Sequence, residues 1–282
     1  MTSNVMGRGA RGADRKAAGH PWFHRLSRLG LAARGVLYLL VGWIAIQVGL
    51  GDSGGKEADK GGALQEVASK PGGTVILWVM VVGLAGLALW RFSEARFGRP
   101  VPDGDKAHKR AVSFAWGVAY TFTFVGALSY ALTHKSSSSD QQSKTFTAKA
   151  MSEPGGRWLV LAIGVGAVGY GGYKLVRALR RKFRKELKTH EMSARVQKVV
   201  ELLGVVGQSA WAIVLAGIGA FLAYAAITFD PDKAKGLDGT LRELAGTPAG
   251  PWLLVAVAAG LVVYGIFSFA EARWRKVEAV RS

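Results

Sequence analysis

The chain has 282 residues, half of them hydrophobic, with 38 glycines, nine tryptophans and no cysteine; 37 Lys and Arg against 19 Asp and Glu leave a formal charge of +18. A positive mean hydropathy of +0.20 argues against an ordinary soluble domain. The missing cysteine excludes disulfide scaffolds, thiolate metal sites and cysteine nucleophiles.

Taken in chain order, residues 1–23 form a basic arm expected to be disordered. In "HPWFHRLSRLG", Trp22, Leu26 and Leu29 share one helical face, which predicts an amphipathic segment in the interface before the chain turns into its first span. Apolar runs nearly free of charge follow at 29–50, 74–90, 112–132, 158–176, 202–228 and 252–270. Each is about 17 or more residues, the length needed to cross a hydrocarbon core as a helix. Buried helices of a soluble bundle would need polar faces, and "VILWVMVVGLAGLALW" has none. The first run is too long for a cleaved signal and lacks a small-residue cleavage site, so it reads as a retained anchor.

The chain repeats itself. "SKPGGTVILW", "SEPGGRWLVL" and "GTPAGPWLLV" surround Pro71, Pro154 and Pro248; twelve residues on stand Gly83, Gly166 and Gly260, and nineteen on Trp90, Tyr173 and Phe267. "GVLY", "GVAY" and "QSAW" precede them, ending at Tyr38, Tyr120 and Trp211. The units are 24–98, 109–183 and 194–278, each with two spans, so all three share one orientation. The predicted fold is an all-α integral membrane protein: six transmembrane helices as three parallel two-helix repeats with pseudo-threefold symmetry.

In each unit the proline is read as part of the first turn of the second helix, where its missing donor costs nothing, and the following Trp as an interfacial anchor. Lys and Arg concentrate in the leading segment, the second and fourth connections and the tail, which predicts cytoplasmic termini and outer prolines in a bacterial inner membrane. Before each proline, "GGALQEVASK", "TFTAKAMSE" and "GTLRELAGT" predict a short outer helix, best marked by Leu237, Leu241 and Leu244 at i, i+4 and i+7.

With "ARGVLYLLVGW", "ALQEVASKPGG" and the closing "WRFSEARF", the chain resembles, over about residues 24–278, the bacterial family catalogued as domain of unknown function 1206. The resemblance implies an inner-membrane fold and no assigned activity. The second and third units depart from its pattern, carrying Trp116 and Gly207 where the first has Arg34.

Candidate chemistry is thin. "GVGAVG" at 164–169 matches a dinucleotide fingerprint, but no strand precedes it and lysines stand where the acidic ribose ligand should be; its glycines, with Ala162, Ala167 and Ala212, Ala216 and Ala220, read as close-packing residues. His20 and His24 lack a third ligand nearby. Arg34, Arg91, Lys174 and Arg177 are expected to snorkel from helix ends, and Glu94 and Glu271 to join a solvated charge cluster. No cofactor, metal or catalytic residue is assigned. Tyr38, Tyr120, Trp211, Gln47 and Gln208 could line a cavity on the repeat axis. Arg177, Arg180, Arg181, Lys182, Arg184 and Lys185 are expected to extend a helix that contacts anionic headgroups on the cytoplasmic side. The charge is assigned to lipid rather than nucleic acid, which leaves membrane lipids and a membrane-protein partner. The expected function is a non-enzymatic structural or accessory component; the alternative is a small-solute transporter or channel along the axis.

Overall fold

A computed structural model describes residues 21–51, 57–98, 105–135, 138–246 and 250–276, excluding the side chains of 21–23. Its helices are α1 (Pro21–Gly49), α2 (Lys60–Ala68), α3 (Gly73–Phe97), α4 (Ala107–Thr133), α5 (Ser139–Met151), α6 (Gly156–Leu179), α7 (Ala194–Thr228), α8 (Leu237–Ala245) and α9 (Gly250–Trp274). Six of them, α1, α3, α4, α6, α7 and α9, are long and apolar enough to cross a membrane. The three short ones, α2, α5 and α8, stand where the amphipathic stretches were expected, each between the two long helices of one repeat. His20, Pro248 and the basic residues before position 20 lie outside the described residues.

Two expectations about helix ends are corrected. No break separates an interfacial piece from the first span: α1 is continuous from Pro21, because Leu26 already packs onto α3, where its side chain fills the place a Cβ on Gly86 would take. Pro71 and Pro154 lie in turns just before their helices rather than in the first helical turn. Gly73 N–H bonds Lys70 C=O at 2.8 Å and Gly156 N–H bonds Glu153 C=O at 2.9 Å, with Gly72 at φ 74° and Gly155 at φ 78°. A type II turn takes proline second and, at its third place, glycine, whose missing Cβ permits positive φ. The next glycine is required for space. A Cβ on Gly73 would lie 1.9 Å from Val67 O, one on Gly156 1.5 Å from Ala150 O, and one on Gly250 2.2 Å from Ala245 O. In the first two repeats the Pro-Gly-Gly phrase thus folds the short helix tightly back onto the long one after it, and in the third Gly250 makes the same close approach.

The long helices pack side by side in the order α4, α3, α1, α9, α7, α6. Close approaches at glycine make the seams. Gly30 meets Gly83 between α1 and α3, Gly35 meets Gly265 between α1 and α9, Gly207 meets the Tyr264 backbone between α7 and α9, and Gly164 meets Gly219 between α6 and α7. Of the fingerprint-like glycines, Gly164 does pack closely, whereas Gly166 and Gly169 have nothing within 4 Å. Helices α4 and α6, the pair belonging to the second repeat, form no comparable seam.

One face carries α2, α5 and α8, and the other carries both ends of the described chain. On the capped face three aspartates join the repeats in a cycle. Asp59, at the N-cap of α2, accepts from Ser139 N at 2.6 Å; Asp140 accepts from Gly236 N and Gly239 N at 2.8 and 3.0 Å; Asp238 accepts from Ala58 N at 2.7 Å. Each carboxylate satisfies backbone donors at the start of the next repeat's short helix, where the helix dipole also favours negative charge. Asp59 and Asp238 are buried beneath this cap together with Ala58, Leu64, Leu237 and Leu241.

Candidate functional site

The interior toward the other face holds charge. Arg34, ten positions into the span beginning at His24, lies about 15 Å along the helix axis from its start and is 3 % exposed. Its guanidinium is ion-paired to Glu271 on α9, donates to Ser268 Oγ at 3.2 Å and reaches Tyr120 OH at 3.4 Å. Glu271 also pairs with Arg275, Arg275 binds Glu186 at 2.8 Å, and Glu186 pairs with Arg177. The result is an alternating chain of five charges, Arg34, Glu271, Arg275, Glu186 and Arg177. Beside it, Arg91 pairs with Glu94 at 2.8 Å, and Ser113 Oγ donates to the same carboxylate at 3.2 Å. The Arg91 and Arg275 guanidiniums both lie over Trp90, 4.6 and 4.9 Å from its ring.

These positions overturn the expected snorkelling and the expected solvated cluster. Arg34, Arg91, Glu94, Glu271 and Arg275 are all buried. Burying charges this far from water is costly unless each is paired and hydrogen-bonded, and the alternating network supplies the pairing. The basic run after α6 is corrected too. It does not extend the helix, because Arg181 takes a left-handed conformation at φ 52° and residues Lys182–Glu186 form a 3-10 turn. Phe183 turns inward, edge-on to Phe267 at 5.3 Å, and Lys188 N bonds Trp274 O at 2.8 Å. This reversal brings Glu186 and Arg177 into the network while Arg180, Arg181, Lys182 and Lys185 remain exposed on the face of the chain ends; Arg184 binds Glu201 at 3.1 Å.

A cavity of about 530 Å³, including the space at its open side, lies on this network. All six long helices line it: Arg34 from α1, Arg91 from α3, Trp116 and Tyr120 from α4, Tyr170, Lys174 and Arg177 from α6, Gln208 and Trp211 from α7, and Tyr264 and Glu271 from α9. Of the residues expected there, Tyr120, Trp211 and Gln208 form its wall. Tyr38 stands behind, accepting from Trp211 Nε1 at 2.9 Å and meeting Tyr264 edge-on at 4.9 Å. Gln47 is not brought in, since it lies thirteen residues beyond Arg34 on α1, about 20 Å along the axis.

Lys174, Arg91 and the two carboxylates were missed as a set, though the repeat spacing carries the signal. Twenty residues after the three prolines come Arg91, Lys174 and Ser268, and twenty-three after come Glu94, Arg177 and Glu271. These registers lie one helical turn apart and face one axis. The second repeat alone is basic at both.

Over residues 29–98, 111–181 and 206–275 the sequence matches the family described as Domain of Unknown Function (DUF1206), and the chain belongs to that family, in three repeats. It is 31% identical over 256 residues to an uncharacterised Bacillus subtilis (strain 168) protein, YxxB, covering 89% of this chain and 90% of the relative. No solved structure matches it.

Proposed function

We propose that this member of the family is a non-enzymatic structural or accessory component of the bacterial inner membrane that binds membrane lipids and a membrane-protein partner. Cytoplasmic termini are part of this reading, supported by the distribution of charge: the face of the chain ends carries Arg180, Arg181, Lys182, Lys185, Lys198 and Lys276, while acidic residues offset the lysines of the capped face.

The observation that carries this reading is the cross-linking of the capped face. The aspartate cycle ties the three short helices together on one side, with α2 and α8 packed down onto the core, and on the other side the buried charges are paired into a network. A transporter or channel along the axis, the alternative, would require a path through the cap. An accessory role requires a rigid body with exposed faces. Exposed Trp43, Phe122, Val125, Trp158, Leu159, Val165 and Trp252 supply apolar contact area of that kind.

The test is purification in mild detergent from the native membrane after chemical crosslinking. Recovery of a membrane protein in fixed stoichiometry supports the proposal. Solute flux through proteoliposomes containing the purified chain, with no partner recovered, would replace it with the transporter.

A further inference from the structure

We infer that the cavity is a binding site for the headgroup of one acidic phospholipid, which enters sideways between α4 and α6. The inference rests on the lipid-binding part of the reading above and gives it a place and a chemistry.

The first argument is charge. Five cations, Arg34, Arg91, Lys174, Arg177 and Arg275, line the cavity with Glu186 and Glu271; with Glu94 behind Arg91, five positive charges face three carboxylates, an excess of two. Lys174 has no carboxylate within ion-pair distance among the described residues, and its Nζ lies 6.0 Å from the Trp211 ring centre. Among the described residues Arg91 Nε and Gln208 Oε1 are buried without a hydrogen-bond partner, in residues 6 % and 5 % exposed. An interior polar group normally finds a partner, so an excess of positive charge beside unmet polar atoms describes a pocket for a polar, anionic group. A phosphodiester headgroup offers charge and acceptor oxygens to Lys174 and Arg91, and the polar atoms of a glycerol headgroup can meet Gln208.

The second argument is the broken seam. In the first repeat Gly83 on α3 packs against Leu29 O of α1, 3.0 Å from where its Cβ would stand, and in the third Gly260 on α9 packs against Ala210 of α7 at 2.4 Å. Their counterpart Gly166 on α6 meets nothing within 4 Å among the described residues. The pair of long helices that closes on itself in two repeats therefore stands apart in the second. Across the space Trp116 Nε1 donates to Tyr170 OH at 3.0 Å, directly beside the cavity. Gly166 lies one turn from Tyr170 on the same helical face, toward the middle of the span. A headgroup at Lys174 would thus leave its acyl chains passing over Gly166 into the hydrocarbon. Free phosphate shares the headgroup chemistry but makes no use of this opening.

The experiment is native mass spectrometry of the full chain released from neutral detergent, titrated with phosphatidylglycerol or with phosphatidylcholine of the same acyl chains, and with inorganic phosphate as competitor. One tightly held phosphatidylglycerol is expected, with phosphatidylcholine at least tenfold weaker and phosphate unable to displace it at millimolar concentration. Lys174→Gln should weaken binding tenfold or more. Gly166→Leu, which has open space for its side chain, should abolish it at an unchanged melting temperature. Lys149→Ala, an exposed cation on the capped face, should have no effect. Equal retention of both lipids, displacement by phosphate, or indifference to both Lys174→Gln and Gly166→Leu overturns the inference. Such a result would leave the accessory reading standing if the crosslinked partner is still recovered.

Discussion

Arg34 and Glu271 are separated by 237 residues yet form a buried ion pair that joins the first and third repeats along the α1/α9 seam. The two partners are not equivalent. Removing Arg34 leaves Glu271 still paired with Arg275, whereas removing Glu271 leaves the buried Arg34 guanidinium with no carboxylate, Arg275 keeping Glu186. Breaking a buried pair costs about 3–5 kcal/mol because the remaining charge is uncompensated. Glu271→Ala is therefore expected to lower stability more than Arg34→Ala, the latter falling at or below the bottom of that range. Thermal unfolding of the two variants in one detergent checks the order, and an equal loss would contradict the pairing.

Asp140 and Asp238 differ in the same countable way. Asp140 satisfies two backbone N–H groups at the start of α8, and Asp238 satisfies one, at Ala58, its other oxygen taking the half-exposed Arg242 guanidinium, which water can serve instead. A buried donor left without an acceptor costs about 1–3 kcal/mol. Asp140→Ala is expected to destabilise the cap more than Asp238→Ala. Hydrogen exchange should locate the added opening at residues 236–239 for the first and near residue 58 for the second. Exchange unchanged at those amides would mean that the cycle does not hold the cap.

The six long apolar helices, the three short helices and the family were legible because hydrocarbon length, helical periodicity and a repeated turn phrase are local signals. The charge network was not, and the reason is physical: Arg34, Glu94 and Glu271 sit near the ends of long apolar runs, where an isolated side chain can reach water. Their burial depends on α1, α3 and α9 converging and on the chain reversing at Arg181, neither of which one helix reveals. The aspartate cycle was hidden for the same reason, since Asp59, Asp140 and Asp238 look like ordinary helix starts until the repeats are placed side by side. The open seam at Gly166 is the reverse case. Repeat spacing made that glycine equivalent to Gly83 and Gly260, and only the packing distinguishes it.

Glu57 gives the cap a pH dependence. Partial burial, and then the nearby carboxylates of Asp59, Asp238 and Asp140, raise its carboxyl above the usual carboxylate range. The folded state thus holds this proton more tightly than the unfolded chain, and the stability it contributes falls as pH rises through the window between the ordinary glutamate value of about 4.3 and the raised one. At neutral pH the ionised side chain opposes folding. Glu57→Gln is expected to melt higher than the parent at pH 7, with the difference shrinking toward zero as pH falls below the ordinary value. Melting curves that coincide at every pH would show that the aspartates do not act on it.

Gly164 and Gly166 are two residues apart on α6 but face different surroundings, so the same substitution separates seam from opening. A Cβ on Gly164 would stand 2.6 Å from Ala223 N and 2.8 Å from Gly219 O, both backbone atoms, while one on Gly166 meets nothing within 4 Å. Overpacking a close helix contact costs about 1–3 kcal/mol, and backbone cannot move aside as a side chain can. Gly164→Val is therefore expected to loosen α6 from α7 and lower the melting temperature. Gly166→Val should leave it unchanged, or raise it slightly, because valine is a better helix former than glycine. Thermal melts in the same micelles decide this, and a Gly166→Val loss as large as that of Gly164→Val would mean that the α4/α6 seam is closed in solution.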